Sequence, residues 1–231
     1  MNYAYINRKI LEVYKNGNII SFPFNCEQIL KELGYNLYKY SELSESKRNH
    51  CLLVSDEALK LFDNIYYNDN MPKTRVRFSL AHELGHIVLE HGDYLVPENE
   101  AEANYFASYL LAPRIAIHYA RCENEKEVSR IFNMSNEAAR YAFNDYLRWH
   151  RKIAIYKMSS LDKSLYEHFY DVDYKGFVYN KKRCGYCEEP IYNSSEIICQ
   201  KCNALSKPYL NYRQPDEDLL IVESQWLYAR L

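Results

Sequence analysis

Residues 75–92 run Arg-Val-Arg-Phe-Ser-Leu-Ala-His-Glu-Leu-Gly-His-Ile-Val-Leu-Glu-His-Gly, and this stretch constrains the fold more than any other. Phe78, Leu80, Ala81, Leu84, Ile87, Val88 and Leu89 predict a mostly buried helix from about Arg77 to His91, stopped at Gly92. Burying His82, Glu83 and His86 in such a helix is costly unless something satisfies them. Four residues apart, the two imidazoles project from one face about one turn apart and can bind a single zinc ion. Glu83, beside the first histidine, fills no coordination position and is set to accept a proton from the attacking water. Gly85 inside a helix costs about 1 kcal/mol relative to Ala. A close-packed neighbour or a metal-site approach would explain it.

A hydrolytic zinc needs a third protein ligand and one open position. The next helix, expected from Pro97 to near Pro113, offers Glu98, Glu100 and Glu102. Its buried stripe is Ala103, Phe106, Ala107, Leu110 and Leu111. Glu102 lies one turn before Phe106 and borders that stripe, so it is the expected ligand. Glu98 and Glu100 are expected in a solvated first turn, where carboxylates favour the helix N-terminus. Asp93 is the competitor, a carboxylate just past the histidine helix. His91, five positions beyond His86, is expected on another helix face as a helix-terminal cation partner.

Upstream, the pattern predicts a helix over the first ~20 residues and a second capped by Asn25 and closed by Gly34. Strands are expected at 35–40, 51–54 and 62–67. Downstream, Val128, Ile131 and Phe132, a turn at Asn133-Met134-Ser135, then Ala139, Ala142, Phe143, Tyr146 and Leu147 give a helix pair like a helix-turn-helix over 123–150. The second helix carries Asn136, Glu137, Arg140, Asn144, Asp145 and Arg148, a mixed set ill suited to reading DNA. Scaffold or docking is the better reading.

Cys184-Gly185-Tyr186-Cys187 and Cys199-Gln200-Lys201-Cys202 form two knuckles separated by eleven residues. Such spacing predicts a closed four-thiolate zinc ribbon, whose metal is structural because no position stays open. Residues 181–231 hold seven Lys or Arg and seven Asp or Glu, which does not favour nucleic acid and leaves protein docking as the expected use. Tyr186, Tyr192, Tyr209 and Tyr212 suit docking or a thin core. Leu219 to Leu231 is expected to add a strand and helix that pack back. Cys26, Cys51 and Cys122 are expected to be buried structural cysteines.

A formal net charge of −2 gives no long-range pull towards nucleic acid or anionic membrane. No signal segment, no apolar run long enough to span a bilayer, and an odd cysteine count of 7 together predict a cytoplasmic protein.

Arg77-Phe78-Ser79-Leu80-Ala81-His82-Glu83-Leu84-Gly85-His86, with Glu102-Ala103-Asn104-Tyr105-Phe106-Ala107 and Leu110-Leu111-Ala112-Pro113, resembles the ImmA/IrrE family of metallopeptidases. The resemblance is specific over 75–113, weaker over 22–149, and absent from the cysteine-rich tail. It implies a thermolysin-like core with His82, His86 and Glu102 on zinc and Glu83 as general base. It also implies a regulatory protease that acts on a helix-turn-helix repressor, carried on a mobile element or used in a stress response. The expected fold is α+β: a mostly helical zincin-like domain with a small antiparallel sheet over 1–155, a connector over 156–180, and the ribbon module over 181–231. The expected function is a zinc endopeptidase with one catalytic and one structural zinc. Its rival is a non-catalytic regulator that docks DNA or a repressor through the helix pair and ribbon. The sequence does not choose an oxyanion-stabilising residue among 24 tyrosines.

Overall fold

The histidine helix, α4, runs Lys73–Val88 and is the element against which its neighbours are arranged. In the computed structural model, which describes residues 1–92 and 96–206, α4 packs along α5 (Pro97–Leu111) more extensively than any other two elements meet. Gly85 makes this possible. A Cβ built there would lie 3.2 Å from the Ala103 Cα, 3.3 Å from its carbonyl oxygen and 3.1 Å from Phe106 Cδ1. Two of those three neighbours are backbone and cannot turn aside. The helices therefore cross at van der Waals contact of one main chain on the other, with Leu80, Ala81, Leu84, Ala103, Phe106 and Ala107 buried around the crossing.

Two helices and a sheet pack against this pair. α1 (Tyr3–Asn16) packs on α5 and presents Ile6, Ile10, Leu11, Val13 and Tyr14 to the core. α2 (Cys26–Glu32) packs on α4 and is capped by Asn25, whose side chain accepts from the Glu27 and Gln28 N–H groups. Gly34, with φ 91°, follows it in the left-handed region. The sheet comprises β1 (Asn36–Lys39), β2 (Ala58–Leu61) and β3 (Asn64–Tyr67) in the order β1-β3-β2. β3 is parallel to β1, pairing Ile65 with Leu37, and antiparallel to β2, pairing Tyr67 with Ala58. The sheet is thus small, as expected, and mixed. Ile65 and Tyr67 alternate inward, the period-2 pattern of a strand with one buried face.

The expected strand at 51–54 is instead the end of a helix, α3 (Glu45–Val54). The apolar run Leu52-Leu53-Val54 is too short for periodicity to decide, and Glu45, Lys47 and Arg48 upstream are strong helix formers. α3 buries none of its residues. Cys51, which it carries, is only half-buried, whereas Cys26 and Cys122 are buried as expected.

Beyond α5 come α6 (Arg114–Tyr119), α7 (Glu125–Phe132), α8 (Asn136–Tyr156) and α9 (Ser160–His168). α7 and α8 pack together around Val128, Phe132, Met134 and Ala139, and the turn between them uses Asn133 at φ 52°. Arg77 ties this pair to α4. Its guanidinium donates to the Phe132 carbonyl at 2.6 Å and the Asn133 carbonyl at 3.1 Å, and it lies over the Phe24 ring at 5.3 Å. Those carbonyls are the orphan acceptors at the end of α7, so one cation closes one helix from the side of another. α9 opens with a capping box between Ser159 and Asp162 and packs on α1 and α6. A short hairpin follows, β4 (Tyr170–Asp171) and β5 (Gly176–Phe177).

All of this lies in one compact unit, Met1–Lys181; the second is Lys182–Leu231. At the junction and beyond it are β6 (Lys181–Arg183) paired with β7 (Pro190–Tyr192), and then α10 (Gln200–Ser206). The expected strand and helix over Leu219 to Leu231, and Tyr209 and Tyr212, lie outside the described residues.

The α4–α5 crossing generates a prediction. Gly85→Ala gains about 1 kcal/mol of helix propensity but drives a methyl into backbone. Overpacking of this kind costs roughly 1–3 kcal/mol, and the cost dominates because the obstructing atoms are main chain. Urea unfolding should show a lower midpoint for the variant than for the parent.

Candidate active site and metal centres

His82 and His86 project from α4 towards the first turns of α5, where the Nε2 atoms of the two rings lie 2.9 Å apart. The carboxylate of Glu100 closes the triangle, 3.3 Å from His82 Nε2 and 3.4 Å from His86 Nε2. These three form one of two groups among the described residues able to hold a metal ion. His82 Nδ1 lies 3.1 Å from Asn104 Oδ1 and donates to it, so the His82 proton sits on Nδ1 and Nε2 presents a lone pair. Burial, together with the facing His82, pushes the pKa of His86 down to about 4 and keeps its ring neutral. Two converging Nε2 lone pairs and a carboxylate repel one another unless a cation sits among them. That donor set suits zinc.

The residue facing the histidines is Glu100; the expected Glu102 lies elsewhere. The reason is the position of the helix crossing. Because Gly85 touches Ala103, the residues of α5 that look along α4 are those one turn either side of it. Glu100 is three residues before Ala103 and Asn104 is four residues after Glu100, so both fall on that face. Glu102 lies about 200° away from Glu100 around the helix, with Oε2 3.4 Å from His91 Nε2. Reading only the apolar stripe of α5 hides this choice; the signal that finds it is the pair Glu100 and Asn104 at i, i+4 opposite two histidines at i, i+4. Asp93 lies outside the described residues.

Glu83 is buried to 9% exposure beneath the same face. Burial, with the nearby Glu100 carboxylate adding to it, pushes its carboxyl up to about 7, while Lys60 on β2 opposes the shift. A group in that range exchanges a proton readily near neutral pH.

His91 is not on a separate helix face. α4 ends at Leu89, and Glu90 at φ 58° turns the chain back. The His91 N–H then bonds the His86 carbonyl at 3.0 Å and the Glu90 N–H bonds that of Ile87 at 3.2 Å, the paired bonds of a Schellman ending. This stop precedes the expected Gly92. It lays the His91 ring against His86, with the two Nδ1 atoms 3.1 Å apart.

The histidines open into a cleft of about 1040 Å³. One wall is β2, the edge of the sheet, with Ala58, Leu59 and Lys60. At its head Glu57 accepts from Ser79 Oγ at 2.6 Å and pairs with Arg75. The opposite wall is the first half of α8, with Glu137, Tyr141, Asp145 and Arg148. Three tyrosines line the cleft. The Tyr105 hydroxyl donates to Asn7 at 3.0 Å, Tyr109 is buried, and Tyr141 is 60% exposed.

In the second unit Cys184, Cys187, Cys199 and Cys202 bring their sulfurs within 4.8 Å of one another. Backbone N–H groups of Cys199, Cys187 and Tyr186 turn towards Cys184 and pull its thiol down to about 6. The crowding of Cys187 and Cys199 pushes Cys202 up to about 12. In a cluster that both favours and resists thiolates, a bound cation would hold all four sulfurs ionised. This fits a closed tetrahedral metal site and the expected ribbon. Tyr186 is 72% exposed beside it.

No helix among the described residues is long and apolar enough to cross a membrane. A search of curated proteins finds no match. Residues 31–144, from α2 to the first half of α8, match the family Peptidase_M78, described as the IrrE N-terminal-like domain. The histidines, Glu83 and most of the cleft lining fall inside that span, so residues 31–144 form a Peptidase_M78 domain, IrrE N-terminal-like and metallopeptidase-like.

Proposed function

We propose that this protein is a zinc-dependent endopeptidase, held together at its site by His82, His86 and Glu100, with Glu83 as general base. The observation that carries it is the convergence of three metal donors next to a buried carboxyl on the floor of an open cleft. Zinc bound there would supply Lewis acidity to the water and to the scissile carbonyl. Glu83 takes the proton of the attacking water and returns it to the leaving amine. β2 supplies the edge along which an extended substrate segment pairs by main-chain hydrogen bonds, and the α8 wall holds the other side. Tyr141, the exposed hydroxyl of the cleft, is the group we assign to the developing oxyanion. The cysteine cluster holds a second, structural zinc.

The proposed substrate is a helix-turn-helix repressor or a similar regulator, the class the family resemblance suggests, which makes the protease a regulatory one. The turning of α8 residues Glu137, Tyr141, Asp145 and Arg148 into the cleft supports a substrate-facing use of the helix pair over a DNA-facing one.

Two outcomes are expected. Metal analysis of the purified chain should return two zinc ions; a Cys199→Ser, Cys202→Ser variant should keep the histidine-bound ion alone. Co-incubation with a repressor encoded beside the gene, read by mass for new termini, should show cleavage by the parent. Glu83→Gln should keep its zinc and lose at least ~100-fold in rate, the scale of general acid–base catalysis. An undiminished rate in Glu83→Gln rules the peptidase mechanism out.

A further inference from the structure

His91 and Glu102 are accounted for by none of the roles above, yet they form a continuous chain with His86. The side chain of His91 is 6% exposed and that of Glu102 26%. His91 Nδ1 faces His86 Nδ1 at 3.1 Å, and on the far side of the same ring His91 Nε2 faces Glu102 Oε2 at 3.4 Å. With both rings neutral, a single arrangement of protons satisfies the two contacts of His91. The carboxylate of Glu102 is an acceptor, so His91 carries its proton on Nε2 and donates it there. His91 Nδ1 is then a lone pair and must accept, which puts the His86 proton on Nδ1. His86 Nε2 is left bare, facing His82 Nε2 and Glu100.

We propose that Glu102 and His91 are positioning residues that fix the tautomer and ring orientation of His86, so that Nε2 is presented permanently to the metal. The inference rests on the metal-site reading above and assigns Glu102 a role one step removed from the ion. The Schellman ending is what builds the relay. On a continued helix His91 would point about 140° away from His86; the left-handed Glu90 folds it back over the ring. His82 reaches the same state by a shorter route, through Asn104 alone. A carboxylate behind a ligand histidine raises its basicity and holds its ring, and loss of such a partner typically costs about 10–100-fold in metal affinity.

The test is a cobalt(II) titration of the metal-free full-length chain against a competing chelator. The thiolate-to-cobalt absorption of the cysteine site serves as an internal standard for folding. His91→Leu should weaken cobalt binding at the histidine site by about 10–100-fold and leave the thiolate signal unchanged. His91→Gln should recover most of the loss, because its amide oxygen accepts from His86 while its amide nitrogen donates to Glu102. If His91→Leu does not fold, Glu102→Ala, a truncation at the half-buried end of the relay, carries the test with an expected loss of about 10-fold. Parental affinity in the folded His91→Leu or in Glu102→Ala overturns the relay, as does a loss in His91→Gln as large as that in His91→Leu. A parent chain that binds no cobalt at its histidines sinks the metal-site reading and the relay together; binding that is indifferent to these variants sinks the relay alone.

Discussion

The contact of Gly85 with the Ala103 backbone is the constraint on which the rest of this domain depends. It sets the separation of α4 and α5, and with it which residues of α5 lie opposite the two histidines. A side chain of any size at position 85 would widen the crossing and draw Glu100 and Asn104 back from His82 and His86. The helix-propensity cost of glycine at an interior position is thus the counterpart of a donor cluster in which every separation is 2.9–3.4 Å.

That cluster is electrostatically unfavourable by itself. Nε2 lone pairs confront each other and a carboxylate, and Glu83 lies buried beneath them with its carboxyl pushed up to about 7. The four crowded sulfurs of the second unit show the same logic with softer donors. In both places the chain spends folding energy on groups that repel until a cation joins them, which couples metal binding to the stability of the surrounding structure. The apolar packing of Leu80, Leu84, Phe106 and Leu110 is what holds the histidine site in shape meanwhile.

Much of this was legible in the residues. The 3.6-residue periodicity marks α1, α4, α5, α7 and α8, the Asn25 cap marks α2, and the alternation at Ile65 and Tyr67 marks β3. The histidine pair and the cysteine knuckles declare their chemistry through spacing alone. What escaped depends on relations between elements. Leu52-Leu53-Val54 reads as a strand until its helix-forming approach is weighed. Glu100 and Glu102 cannot be ranked from the stripe of α5, because the rotation of that helix is decided by its contact with Gly85. His91 is misread for a different reason: a left-handed residue at Glu90, where glycine would be the usual choice, ends the helix earlier than Gly92 suggests.

The Arg77 side chain carries a mechanical implication. It is rooted on the helix that bears His82 and His86, and its guanidinium grips the last carbonyls of α7, from which α8 departs after a single turn. Floor and far wall of the cleft are therefore bolted to each other through one half-buried cation. A molecule that prises α8 outward strains the same helix that carries the imidazoles, so the aperture of the groove and the alignment of its chemistry are bound to change as one.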